Sequence, residues 1–247
     1  MVRTLFLGLF LSLAFSGNAY AEPLTLDLAS DQVDITTGFT GSELVVFGTK
    51  NGRGEVVVVL EGPRGDVRVR KKERVLGAWV NKASLEFEDM FGYYDFATTG
   101  EDDSALLSED IRKERNIGFV ALKKPARKKR YDDDKIEHFQ DALIEKKRAQ
   151  GFYPDAAESV TMLGDGLFRV DFKLPANITP GEYTVRGLLV NNGQVVYEQS
   201  NSLSIGLTGF GAKIYKFALN YSFFYGILCV FLACLAGWAS NMLRGRN

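Results

Sequence analysis

Apolar and polar residues alternate in short runs along the middle of the chain, separated by glycine turns. This period-two pattern predicts β-strands with one covered face. Six runs precede residue 100: Leu24 to Leu28, Glu43 to Thr49, Glu55 to Leu60, Asp66 to Lys72, Ala78 to Asn81 and Tyr93 to Ala97. In the fourth, Val67 and Val69 alternate with Arg68 and Arg70, so one face is expected to be buried and the other wet. Asn51-Gly52 and Gly62-Pro63 supply turns between runs. Strands resume at Val160 to Leu163, Leu167 to Lys173, Glu182 to Val190, Val195 to Gln199 and Leu203 to Leu207. Asn192-Gly193 lies between two of these and marks a hairpin, because a two-residue turn needs positive φ.

The pattern changes between about residues 100 and 155, where charges of both signs gather in blocks. A basic run, Lys123, Lys124, Arg127, Lys128, Lys129 and Arg130, is followed by Asp132, Asp133 and Asp134. The acidic triplet suits the N-terminus of a helix over Asp133 to Ala149, and Lys146, Lys147 and Arg148 suit its last turn before Gly151. Ile136, Phe139, Leu143 and the stem of Lys147 form its inward stripe. The expected architecture is mainly β: one immunoglobulin-like β-sandwich from residues 22–99 and 156–210, interrupted by a helical insertion over 100–155. A single C-terminal transmembrane helix completes it.

The ends carry longer apolar stretches. Residues 1–21 read as a secretory signal, with Arg3, an apolar run from Leu5 to Phe15 and the small-residue site Ala19-Tyr20-Ala21. Phe217 to Trp238 holds no charged residue, and as a helix it measures about 33 Å, enough for a bilayer core. Tyr215, Phe217, Tyr221, Phe224 and Tyr225 cluster at its entry and Trp238 at its exit, as interfacial aromatics do. A transmembrane segment over 214–240 and a cytoplasmic tail over 241–247 are therefore expected. The body would lie in the periplasm, tethered to the inner membrane and its lipid. Ser222, Gly226, Cys229, Ala233 and Gly237 put small side chains along one face of this helix. Such a face serves either a lone anchor or close packing on another integral membrane protein.

Composition narrows the chemistry. Thirty basic and thirty-one acidic residues give a net charge of -1, so there is no overall field to draw nucleic acid. The two cysteines, Cys229 and Cys234, both fall in the apolar helix, leaving no thiol in the body for redox or zinc chemistry. His138 is the only histidine and sits in a charged stretch. There is no phosphate-binding glycine loop and no nucleophile elbow. A non-enzymatic protein without cofactor or metal is expected.

Gly38-Phe39-Thr40-Gly41, Val46-Phe47-Gly48, the Val56 to Val59 run closing in Gly62-Pro63, Arg70-Lys71-Lys72 and Gly77-Ala78-Trp79-Val80-Asn81 together resemble a family of transmembrane proteins of Alphaproteobacteria. The resemblance covers nearly the whole chain. It implies a signal, a body of this size, one late helix and a gene placed beside a sulfite-exporter-type permease, but no established activity. Met90-Phe91-Gly92-Tyr93-Tyr94 and the basic run fit the family pattern less well and inherit no role.

Two candidate sites remain in the body. Arg68, Arg70, Lys71, Lys72 and Arg74 would bind an oxyanion such as sulfite or sulfate if they converged, although strand alternation scatters them along a solvated face. Trp79 and Asn81 could form a partner surface, although a single tryptophan in a sandwich is expected in the core.

Overall fold

The computed structural model describes residues 22–75, 77–100, 106–127, 131–208 and 210–244. The expected signal at 1–21, the end of the basic run at 128–130 and the last three residues of the tail lie outside them. Among the described residues twelve strands precede the anchor: β1 Leu24–Leu28, β2 Gln32–Ile35, β3 Gly41–Lys50, β4 Glu55–Glu61, β5 Arg64–Val75, β6 Ala78–Phe91, β7 Tyr94–Thr98, β8 Glu158–Ser159, β9 Thr161–Met162, β10 Leu167–Pro175, β11 Gly181–Asn191 and β12 Gln194–Leu207. Between β7 and β8 lie α1 Glu109–Arg115, a 3-10 turn at Phe119–Leu122 and α2 Asp133–Ala149. Two helical segments, α3 Phe210–Asn220 and α4 Ser222–Arg244, close the chain. The chain is mainly β with one apolar C-terminal helix, as its pattern predicts.

Two sheets share the body. One runs β1-β3-β10-β9, the other β2-β12-β11-β4-β7-β8, and β5 pairs with β6 alone. The first core forms where the two sheets face each other. Leu26, Val46, Phe168, Val170 and Phe172 from the smaller sheet meet Val56, Val58, Leu60, Val185 and Leu203 from the larger. A second core forms on the opposite face of the larger sheet. There Val57, Val59, Tyr94, Phe96, Leu188 and Val190 meet Phe87, Met90 and Phe91 of β6 and Phe139, Leu143 and Ile144 of α2. Successive residues of β4 thus enter different cores, which is why Val56 to Leu60 is an unbroken apolar run: both of its faces are dry.

Local signals account for the helix. α2 starts behind Asp132, with Asp133 and Asp134 in its first turn and Lys146, Lys147 and Arg148 in its last, matching the dipole at both ends. Phe139, Gln140, Leu143 and Ile144 are its buried face, and the stem of Lys147 joins it. The Lys147 ammonium donates to the Gly92 carbonyl at 3.1 Å and lies over the rings of Phe152 and Tyr153. The helical segment between β7 and β8 is therefore a third layer that seals the second core.

Two expectations change in detail. Val195 to Gln199 and Leu203 to Leu207 belong to one strand, because the polar stretch between them keeps its ladder to β11. Its side chains also bridge the layers: Gln199 accepts from the Leu26 amide at 2.8 Å and donates to the Leu26 carbonyl at 3.0 Å, and Asn201 donates to that carbonyl at 3.0 Å. They tie an edge strand of one sheet to the other sheet. The short run at Ala78 to Asn81 is likewise the start of a strand that continues to Phe91.

Candidate functional site

The β5–β6 ribbon is long and unevenly buried. Its register runs from Arg64↔Phe91 at the base to Val75↔Ala78 at the turn. Leu85, Phe87, Met90 and Phe91 are buried near the base, and Val67, Val69 and Ala83 pack partly against the same cluster. Beyond Lys71↔Ala83 the register shifts and β6 carries one extra residue, Lys82. At the turn Gly77 has φ of +87°, a conformation that glycine adopts without penalty. Trp79 is 70% exposed and Val80 42% exposed. The expectation of a core tryptophan is thus corrected: Trp79 pairs with Arg74 on the rungs next to the turn, past the point where the ribbon leaves the second core.

The basic residues of the ribbon do not converge. Arg68 pairs with Glu86 at 3.2 Å. Glu73 lies between Lys82 at 2.7 Å and Lys71 at 3.5 Å, and its hydrogen bond to Lys82 holds the Glu73 carboxyl below its ordinary range. Arg74 donates through Nε to the Gly77 carbonyl at 3.3 Å. Arg70 and Lys72 are exposed. From Arg68 to Arg74 the strand covers about 20 Å, so these side chains form a charged strip and not a pocket.

The anchor presents a second exposed surface. The Tyr221 amide donates to the Phe217 carbonyl and the Tyr225 amide to the Tyr221 carbonyl, both at 2.9 Å, so α3 runs into α4 with little interruption. Ser222–Ser240 is long and apolar enough to cross a membrane, and among the described residues none cover it. Ser222, Gly226, Cys229, Ala233 and Gly237 are all exposed, and a methyl added at Gly226 or Gly237 would meet no atom within 4 Å.

Inside the body, two sets of buried polar groups engage one another. Glu61, 8% exposed, takes Arg186 on Oε1 and Arg64 on Oε2, the latter at 2.8 Å. Arg186 also reaches Glu198 at 3.0 Å and the Arg115 carbonyl at 2.7 Å. Arg115 closes the circuit on Glu198 at 2.9 Å. This network joins β4, β5, β11, β12 and α1. Asp95 on β7 is 7% exposed. Its Oδ1 accepts from the Phe96 amide at 2.8 Å and its Oδ2 lies 3.1 Å from the Tyr93 hydroxyl, which also lies 3.0 Å from the Lys173 carbonyl. Desolvation pushes the Asp95 carboxyl up to about 7. The geometry agrees with that direction. Tyr93 has one proton for two acceptors, and a protonated Asp95 supplies the missing donor. Sequence reading missed Glu61 and Arg186 because they are 125 residues apart along the chain, and it missed Asp95 because burial by other strands, not its neighbours Tyr93 and Phe96, sets its state. His138, by contrast, is exposed on α2, and among the described residues no three His, Cys, Asp or Glu side chains are grouped to hold a metal ion.

The family model described as "Putative transmembrane protein (Alph_Pro_TM)" matches residues 23–246, from the first strand through α4. The chain belongs to the Alph_Pro_TM family. No curated protein matches it. Membership and the one apolar span found among the described residues agree on a membrane-anchored protein. Among the exposed apolar features of the described residues of the Alph_Pro_TM chain are the anchor helix and the tip of the β5–β6 ribbon.

Proposed function

We propose that the protein is a non-catalytic accessory subunit, held in the inner membrane by α4 with its body in the periplasm. In this reading α4 packs against a polytopic membrane protein such as a sulfite-exporter-type permease. The observation that carries it is the open small-residue face of α4, which no described part of the same chain covers. In lipid, apolar burial does not drive helices together, and close approach across small side chains takes its place. The buried charges of the body, meanwhile, are engaged in holding layers together. A site for a sulfur oxyanion at Arg68, Arg70, Lys71 and Lys72 has less behind it, since these residues are strung along a ribbon and two of them already face carboxylates. The test is a detergent pull-down from native membranes with Gly226→Leu, Ala233→Leu and Gly237→Leu combined. Loss of the co-purified membrane protein, with the circular dichroism of the body unchanged, is the expected result. Undiminished co-purification overturns the packing role.

A further inference from the structure

The outer half of the β5–β6 ribbon combines an apolar tip with a basic collar. From Arg70 to Lys82 the ribbon carries Arg70, Lys71, Lys72, Arg74 and Lys82 against Glu73 alone, five positive charges less one negative for a net +4, in a chain whose total is -1. Glu73 is already flanked by Lys71 and Lys82, so the excess charge faces outward through Arg70, Lys72 and Arg74. Trp79 and Val80 stand on the outer rungs of this collar, opposite Arg74 and Glu73, the first 70% exposed. An indole combines a large apolar body with one N–H donor, and among side chains it favours the headgroup layer of a bilayer. Basic residues beside it add attraction to anionic lipid.

The placement of the ribbon fits such a contact. Its base lies at the end of the larger sheet from which the chain departs for the anchor. A Cβ on Gly181 would meet the Pro63 ring at 2.5 Å, and Gly181 pairs with Ile205, two residues before β12 ends. Only residues 208 and 209 separate β12 from α3. Those two residues, the eleven of α3 and Tyr221 set the sheet off from the span by at most about 25 Å. The twelve residues of β5 extend about 40 Å, more than that distance.

We propose that the β5–β6 tip is a second membrane contact, with Trp79 seated in the headgroup layer of an anionic bilayer and Arg70, Lys72 and Arg74 against lipid phosphates. The body is then held to the bilayer at two points and does not swing freely on α4. This contact needs only lipid and is independent of any partner of α4.

The experiment uses the full chain with Trp238→Phe, which leaves Trp79 as its single tryptophan. The protein is placed in nanodiscs of phosphatidylcholine alone or mixed with phosphatidylglycerol. In the anionic discs Trp79 emission is expected to move to shorter wavelength, to be quenched by lipid brominated near the headgroup and to be shielded from aqueous acrylamide. Arg70→Glu combined with Lys72→Glu, or high salt with the unaltered collar, is expected to return the emission to that of exposed indole. The salt arm stands alone if the charge-reversed variant fails to fold. Water-exposed emission in both lipids overturns the proposal. So does shielding that appears only in native membranes, which would assign the tip to a protein partner. A shift indifferent to lipid charge and to salt overturns it as well.

Discussion

Asp95 makes the stability of the body depend on pH in a direction opposite to that of an ordinary paired carboxylate. Its folded-state pKa stands near 7, against 3.8 for an unperturbed aspartate, with desolvation as the main cause. Glu158 pushes in the same direction, while Lys173, the Phe96 amide and Tyr93 oppose it. Because the folded pKa is the raised one, the fold binds a proton that the unfolded chain has already released between these two values. The stabilisation is complete below about pH 4 and is lost as pH rises to about 7. A tenfold difference in proton affinity between the folded and unfolded chain is worth about 1.4 kcal/mol, so the group changes stability by roughly 4 kcal/mol across that window. Asp95→Asn removes the titration while keeping the geometry. Its amide oxygen accepts from the Phe96 N–H, its NH₂ donates to the Tyr93 oxygen, and the Tyr93 proton is left for the Lys173 carbonyl. The assay is urea unfolding of the full chain in detergent at pH values from 4 to 8, followed by near-ultraviolet circular dichroism of the buried tyrosines. The variant is expected to gain on the wild type by about 4 kcal/mol over this range, with most of the gain between pH 4 and 7. Parallel pH profiles for the two proteins would refute the reasoning, since Asp95 would then be ionised in the fold and held by its two donors.

Two further outcomes test the layers. Arg186→Ala leaves Glu61 buried with Arg64 as its remaining cation and Glu198 with Arg115; a loss of about 3 to 5 kcal/mol is expected in denaturant melts, and a change under about 1 kcal/mol would mean that the network is not a structural joint. Gly48→Ala puts a methyl into the Phe168 ring and 2.5 Å from the Thr25 carbonyl at the centre of the smaller sheet. It is expected to cost more than an ordinary surface change, by several kcal/mol, and a thermal midpoint equal to wild type would show that β3 shifts freely between β1 and β10.

Much of the fold is legible in local pattern. Leu24–Leu28 and Asp133–Ala149 are found where alternation and charge placement put them. Asn192 and Gly193 both take positive φ, as their turn requires, and the apolar span is recognisable by length and composition alone. These features depend on neighbours within a few residues, so the chain encodes them directly. The number of layers does not. Val56 to Leu60 has the same apolar text whether one face or both are covered, and it takes α2 and β6, distant in sequence, to close the second core. Trp79 shows the same limit from the other side. Its residue type favours a core, yet its position on the ribbon carries it past the last packed rung. Asp95 next to Tyr93 is an ordinary surface pattern until the Lys173 carbonyl arrives from β10 and burial removes water from the carboxyl. Alternation tells which side chains share a face of a strand, whereas only tertiary packing decides what covers that face. The protonation of Asp95, the joint at Arg186 and the exposed tip of the ribbon all follow from that second decision.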